Sequence, residues 1–292
     1  LKRILFLLII TLGFTSCSFE RYERLKISAT TWIGYTPLFY AKEKGWLDEI
    51  NIKLTNVVSL SENMYLFKSG NFDAYVGTQY EYELLLQKNK GLTPVIMFDR
   101  SFGGDVIMAN CSLEELVNTQ ESIDAYLEMD SINSTLLKDF IQLHGLEEKK
   151  IHYKNNDQAY IASLQAKKMK QKTIIVTYSP YNYQLKEHGF KEIASTKNGL
   201  DLLVVDALFT TKDALEKHKE QFIALNVLVQ KSLSALQNDP QEFYETVKLY
   251  LPETSYEDFL ESLDDIIWLE GKLPPALKER LEKANFSTKE LL

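Results

Sequence analysis

From position 25 onward, short runs of aliphatic and β-branched residues alternate with longer stretches of helical spacing. The runs 25–29, 52–58, 72–76, 95–98, 106–109 and 174–178 predict strands, and 202–205 predicts a last one. Alternation of this kind builds α/β layers around a mostly parallel sheet. After 205 the texture changes. Helical spacing over 212–237, 240–250, 255–268 and 275–284 predicts a helical tail that wraps and closes one domain.

The boundaries carry start and stop signals. Thr36-Pro37 offers a capping hydroxyl ahead of a proline at the first helical position, and Gly45 closes that helix. Ser59 with Glu62, Thr78 with Glu81, and Ser255 with Asp258 have the spacing of capping boxes, and Asp239-Pro240 marks another start. Ser134 precedes a helical stretch over 136–143 that stops at Gly145, and Ser179-Pro180 repeats the Thr36-Pro37 device. The starts at Thr36, Thr78, Ser134 and Ser179 each lead from a strand or extended stretch into a helix. Such loops sit beyond the carboxyl ends of strands, where open α/β sheets bind ligands and free helix N–H groups suit an anion. Many such loops only connect.

Composition narrows the classes. The chain has 292 residues, 45% hydrophobic and 25% charged, enough for two domains and too apolar for disorder. Its net charge of -8 lacks the basic footprint of a nucleic-acid binder, so no nucleic acid is expected as a partner. Lys2-Arg3, an apolar run over 4–14 too short to span a bilayer, and Thr15-Ser16 before Cys17 predict a secretory signal. The cysteine in that place resembles a bacterial lipoprotein signal, in which the thiol is acylated, although Phe14 stands where Leu is more usual. Residues 1–17 are therefore assigned to a lipoprotein signal and 18–24 to a tether. Cys111, the remaining one of 2 cysteines, is expected to be a buried free thiol. The 4 histidines are scattered, and no metal-ligand spacing, phosphate loop, dinucleotide fingerprint or nucleophile elbow occurs. No enzyme, metal or cofactor is expected.

The stretch Thr31-Trp32-Ile33-Gly34-Tyr35-Thr36-Pro37-Leu38, continuing through Ala41, Lys42, Glu43 and Gly45, resembles the opening of solute-binding proteins of nitrate/sulfonate/taurine-type ABC importers. That family shares its fold with thiamine-pyrimidine synthases, whose cysteine-rich run has no counterpart here. Further matches follow in order: Ser69-Gly70-Asn71-Phe72-Asp73-Ala74, Ser101-Phe102-Gly103-Gly104-Asp105, the loop from Asp130 to Leu137, and Val176-Thr177-Tyr178-Ser179-Pro180. Tyr178-Ser179 replaces a more common Trp-Glu, and Met129-Asp130 stands where glycine is more usual. The resemblance implies a type II periplasmic-binding-protein fold: an α/β fold of two lobes joined by a two-crossing hinge. Residues 25–105 with 200–292 would form one lobe and 106–199 the other. Together with the signal ending at Cys17, it leads to the expectation of an extracytoplasmic, lipid-anchored monomer that delivers a small organic solute to an importer permease.

Within that frame Trp32, Gly34 and Tyr35 offer aromatic surface around a close backbone approach, or Trp32 simply packs. Thr78, Gln79 and Tyr80 open a helix and can donate to a head group. Ser131, Asn133 and Ser134 supply donors at the second lobe's helix start, or only cap it. Ser101 and Tyr178 belong to the matched segments, and Tyr181 and Tyr183 continue the aromatic theme. Asp105 either pairs with a ligand ammonium or ring amine, or bonds backbone at the crossover. Arg100 either meets an anionic group or forms a surface ion pair. Two ligand classes stay open: a sulfonate, taurine-like or other small zwitterion, and a thiamine-pyrimidine precursor or other heteroaromatic amine. A ligand-binding sensor domain is the alternative of another class.

Overall fold

The computed structural model describes residues 23–87, 91–200, 202–269 and 273–292; the signal, Cys17 and most of the tether lie outside them. The chain lays down β1 (Leu25–Thr30), β2 (Ile52–Val57), β3 (Ala74–Thr78) and β4 (Leu92–Ser101). It then crosses to β5 (Asp105–Ala109), β6 (Ile123–Leu127), β7 (Ile151–Asn155), β8 (Lys172–Tyr178) and β9 (Lys191–Ser195). Finally it returns to β10 (Val205–Thr211) and β11 (Ile266–Trp268). Two sheets result, in the orders β11-β4-β10-β3-β1-β2 and β7-β6-β8-β5-β9. The described chain therefore has two α/β lobes joined twice, at 102–104 and at 196–204.

The sheets are mixed rather than mostly parallel. β1 pairs parallel with β2 and β3, but β10 lies antiparallel between β3 and β4. The return route explains this. β4 leaves the first lobe at its C-terminal end and β10 begins at that same edge, so the two must run in opposite directions. The same logic makes β5 antiparallel to β9. Strands β3 and β5 are buried along their whole length, and β1 everywhere but Lys26, because helices or the other lobe cover their faces.

The tail does close the first lobe. The Lys219–Asn238 and Pro240–Val247 helices pack on the Thr36–Glu43 helix, with Tyr40 stacked on Phe243 at 4.5 Å and Phe39 on Tyr250 at 4.2 Å. Each such pair adds about 0.5–1.5 kcal/mol beyond its burial.

Several boundaries differ from the sequence reading. The last long apolar run pairs over Val205–Thr211, not 202–205, and the 212–237 stretch breaks at His218 into Lys212–Lys217 and Lys219–Asn238. Residues 266–268 form β11 instead of ending a helix, because their backbone pairs with the edge of β4. Thr36 is not a capping acceptor: its hydroxyl donates to the carbonyl of Ile33 at 2.7 Å. The second lobe's helix runs Ile132–Leu143, with Ser131 rather than Ser134 as its cap, since Ser131 Oγ accepts from the N–H of Asn133. The Ser179–Pro180 peptide is cis, and the next helix starts at Tyr181.

The crossovers are tied to each other and to the tail. Ser101 Oγ lies 2.8 Å from Thr196 Oγ1, and Gly103 N–H donates to Thr196 Oγ1 at 2.9 Å. Phe102 N–H and Gly104 N–H donate to the Asp265 carbonyl at 2.8 and 3.0 Å. Gly103 adopts φ 122°, a conformation closed to residues with a side chain, so the first crossing turns there.

Candidate functional site

Buried carboxylates dominate the cleft between the lobes. Asp99 on β4 and Asp206 on β10 are direct partners in the antiparallel register, which puts both side chains on one face. Both are essentially unexposed, at 0% and 2%. Trp32 Nε1 donates to the two Asp99 oxygens at 3.2 and 3.3 Å, and the Tyr35 hydroxyl donates to Asp206. Burial drives the pKa of Asp99 well above the carboxylate range, with the Asp105 charge adding to it and the Trp32 bond opposing it. Burial also raises Asp206, and its neighbour Asp99 raises it further. Neighbouring like charges disfavour the ionised form.

Gly34 is what allows this packing. A Cβ there would stand 1.9 Å from Asp99 Oδ2, so the space left by the missing side chain is filled by a carboxylate of the chain itself. A Cβ on Gly104 would meet the Trp32 ring at 2.5 Å, so the first crossover and the indole also need each other's shape.

Asp105 opens β5, directly after the first crossing, and is 3% exposed. Its Oδ2 has no hydrogen-bond partner. Burial pushes its carboxyl up to about 7, opposed by a Ser101 bond and assisted by the charge of Glu81. Glu128 of the second lobe is 2% exposed, and neither of its oxygens has a partner of good hydrogen-bond geometry. Burial raises it to about 8, offset in part by the backbone of Leu60 and Gln158. Among the described residues no Lys or Arg forms an ion pair with any of these acids.

Glu81, 1% exposed, joins the lobes. Its Oε2 accepts from the N–H of Thr78 at 2.9 Å and from the Thr78 hydroxyl, completing the predicted capping box of the Gln79–Leu86 helix. Its Oε1 accepts at 2.9 Å from the N–H of Ile132, the first residue of the second lobe's Ile132–Leu143 helix. Burial raises this carboxyl, and the bonds to Thr78 and Ile132 counter the rise. Trp32 meets Tyr178 edge to face at 5.8 Å across the same cleft.

These groups enclose a cavity of about 10 Å³, room for one water-sized group, lined by Thr30, Trp32, Tyr35, Leu60, Thr78, Asp105, Ile132, Tyr178 and Asp206. Of the residues singled out from sequence, Trp32, Tyr35, Thr78, Asp105 and Tyr178 are brought together here. Others are placed elsewhere. Gln79 is held by β10, its amide bonding Leu203 O and Val205 N. Tyr80 is half-buried in a separate groove between the lobes, with Glu83 and Arg280 of the first and Ile132 and Thr135 of the second. Ser101 belongs to the hinge. Ser131 donates to Glu128 O at 2.7 Å, and Asn133 accepts from Gln158 Nε2 at 2.9 Å, so both serve the second lobe's interior. Ser134 lines an outer groove with Met129 and Lys138. Arg100 does not line the cavity: it follows Asp99 in β4 and so faces the other side, its guanidinium 5.9 Å from the Phe102 ring. Tyr183 donates to Asp265 at 3.1 Å, beside the hinge. Cys111 is only partly buried.

Asp206, Leu60 and Ile132 in the lining, and Asp99, Glu81 and Glu128 around it, escape the sequence reading of the site. A signal existed for two of them. Asp99 and Asp206 interrupt otherwise apolar strand runs, and an acid buried in a strand demands a partner or a purpose. Among the described residues no group of 3 or more His, Cys, Asp or Glu has the arrangement to hold a metal ion.

Two α/β lobes, joined by a double crossing and meeting over a buried polar cleft, define the periplasmic-binding-protein fold. The family model described as NMT1/THI5 like matches residues 32–243, and the chain belongs to that family. The fold is shared with the ligand-binding component of an ABC-type import system from Staphylococcus aureus, solved with zinc bound (15% identity, 91% of this chain and 93% of that one, TM-score 0.70). It is also shared with the alkanesulfonate-binding protein of Xanthomonas axonopodis pv. citri bound to MOPS (12% identity, 92% and 96%, TM-score 0.66). The aliphatic sulphonate-binding protein of Escherichia coli is similar as well (14% identity, 92% and 94%, TM-score 0.65). No curated protein sequence matches the chain.

Proposed function

We propose that this chain is an extracytoplasmic solute-binding protein that captures a small organic solute carrying a protonated amine and delivers it to an ABC importer. One observation carries the reading: Asp105, whose Oδ2 is buried without a hydrogen-bond partner, lines an interlobe cavity that Asp206 also lines, and Asp206 is paired with Asp99 in the sheet. A buried carboxylate without a partner is costly, and a cation arriving with the solute removes that cost. Trp32, Tyr35 and Tyr178 supply the flat walls that suit a ring or a short aliphatic body.

A heteroaromatic amine fits these groups through its ring and a protonated ring nitrogen, and a taurine-like zwitterion fits through its ammonium. A sulfonate reading draws support from the binding proteins that share the fold. The cavity holds only one water-sized group, so a solute is accommodated when the lobes part and close less tightly around it, a hinge motion at the two crossings between them. Export and lipid anchoring at Cys17 rest on the Lys2-Arg3, apolar and Thr15-Ser16-Cys17 pattern.

The test is a thermal-shift screen of the purified protein against taurine, alkanesulfonates, aminophosphonates, nitrate and aminopyrimidine thiamine precursors. An amine-bearing compound is expected to raise the melting temperature without being consumed, and deleting the protein is expected to abolish uptake of that compound. Turnover of the compound, or uptake that survives deletion, would contradict the reading.

A further inference from the structure

Glu81 is a single carboxylate whose two oxygens serve helices in opposite lobes. Oε2 caps its own helix through Thr78, and Oε1 reaches the first N–H of the Ile132–Leu143 helix. A helix start is the natural seat for an anion, because its N–H groups are free and its dipole is positive there. In this chain that seat is filled from across the cleft by a buried side chain. Glu128 stands in the reverse relation: it belongs to the second lobe, and the backbone of Leu60, which opens the first lobe's Leu60–Lys68 helix, offsets its burial.

We propose that Glu81 is the specificity-determining residue of the cleft, a built-in anion that takes the helix start on closure. A ligand's sulfonate, phosphonate or carboxylate is thereby refused, and a protonated amine is admitted beside Asp105. Thr78 and Ile132, whose N–H groups hold the Glu81 carboxylate, line the same cavity as Asp105, so an incoming anion meets acid on both sides as well as an occupied donor. An ammonium meets neither obstacle. This inference rests on the solute-binding reading and adds which charge the site rejects.

Three two-carbon probes separate the charges: ethylamine, ethanesulfonate and taurine, each titrated against the whole protein and its Glu81→Ala and Glu81→Gln variants by calorimetry and thermal shift. In the unmodified protein, ethanesulfonate is expected to give no stabilisation at millimolar concentration, and taurine to bind no tighter than ethylamine. In Glu81→Ala, ethanesulfonate affinity is expected to rise at least tenfold, and ethylamine affinity to fall. Glu81→Gln keeps the side chain's size and a carbonyl acceptor for Thr78, so it preserves folding if the alanine variant does not. It should move both affinities in the same direction by a smaller factor. Ethanesulfonate binding to the unmodified protein as tightly as to the variants would overturn the proposal, as would variants no more responsive to it than the parent. Failure of the solute-binding reading looks different: none of the three proteins would respond to any probe.

Discussion

The two faces of the cleft treat buried acid in opposite ways. The first lobe settles its carboxylates. Asp99 is held by the Trp32 indole, Asp206 by the Tyr35 hydroxyl, and Gly34 clears the space that lets Asp99 in. The second lobe leaves its own less settled: Asp105 Oδ2 is buried without a partner, and Glu128 has only the backbone of Leu60 and Gln158 to offset its burial. A rigid, satisfied face opposite an unsatisfied one is the arrangement expected if a ligand's positive charge completes the second face only when the lobes meet. The contrast separates acids held by side-chain partners from an acid oxygen left without one in the same cleft, a distinction that burial alone does not make.

The strongest way to break that contrast is Asp105→Asn, which removes the unpartnered charge while keeping its shape. Loss of a buried charge partner costs about 2–5 kcal/mol of binding, so affinity for a cationic solute should fall at least thirtyfold in a calorimetric titration. The ligand-free variant should melt no lower than the parent at pH 8. If affinity is unchanged, the second face does not hold the solute.

The settled face is tested next by Gly34→Ala. The new Cβ would lie 1.9 Å from Asp99 Oδ2 and 2.5 Å from Trp32 Nε1, so the carboxylate must be displaced. Overpacking of this kind costs about 1–3 kcal/mol, measured as a lower denaturation midpoint. A midpoint within error of the parent would show that Asp99 has freedom the packing denies.

Protonation sharpens the comparison further. Asp105 and Glu128 have folded-state pKa values raised to about 7 and about 8 by burial, above the ordinary value of about 4 for a carboxyl. The closed protein therefore binds these protons more tightly than an opened or unfolded chain. The stability they contribute is complete below about pH 4 and is lost as pH rises through 7 to 8, by up to about 1.4 kcal/mol per unit for each group. The melting temperature of the ligand-free protein should fall between pH 5 and pH 8, and a saturating amine should reduce that fall. A flat profile would mean that both acids find partners in solution.

The smallest effect belongs to the rim. Tyr65, 47% exposed, donates to Asp130 Oδ2 across the lobes at 3.0 Å. Tyr65→Phe should change the midpoint by less than about 0.5 kcal/mol. A larger loss would move the closing force from the buried acids to the rim.

The fold was legible in sequence for physical reasons. Strands buried on both faces leave apolar runs, and the capping boxes at Thr78 and Ser255 leave fixed spacings, so both survive as local patterns. The strands β6, β7 and β9 were not read, since their mixed, partly exposed faces leave no clean run. The site was half legible. Trp32, Tyr35, Thr78, Asp105 and Tyr178 sit in loops or at strand ends, where sequence reasoning looks for ligands. Asp99 and Asp206 become neighbours only through the pairing of β4 with β10, more than a hundred residues apart, which local pattern cannot express. Glu81 is legible as a cap, yet the bond of its other oxygen to Ile132 joins residues 51 positions apart in opposite lobes, which no local pattern expresses.

The central claim is that an unpartnered carboxylate of the second lobe receives the solute's positive charge. Its most direct test is calorimetric titration of the whole protein at pH 7 with ethylamine, taurine and ethanesulfonate, each in two buffers of different ionisation enthalpy. A cation arriving beside Asp105 must drive off the proton that burial holds there, so the binding amine should release protons, and Asp105→Asn should abolish the release. Amine binding without proton release, or ethanesulfonate binding with proton uptake, would contradict the account.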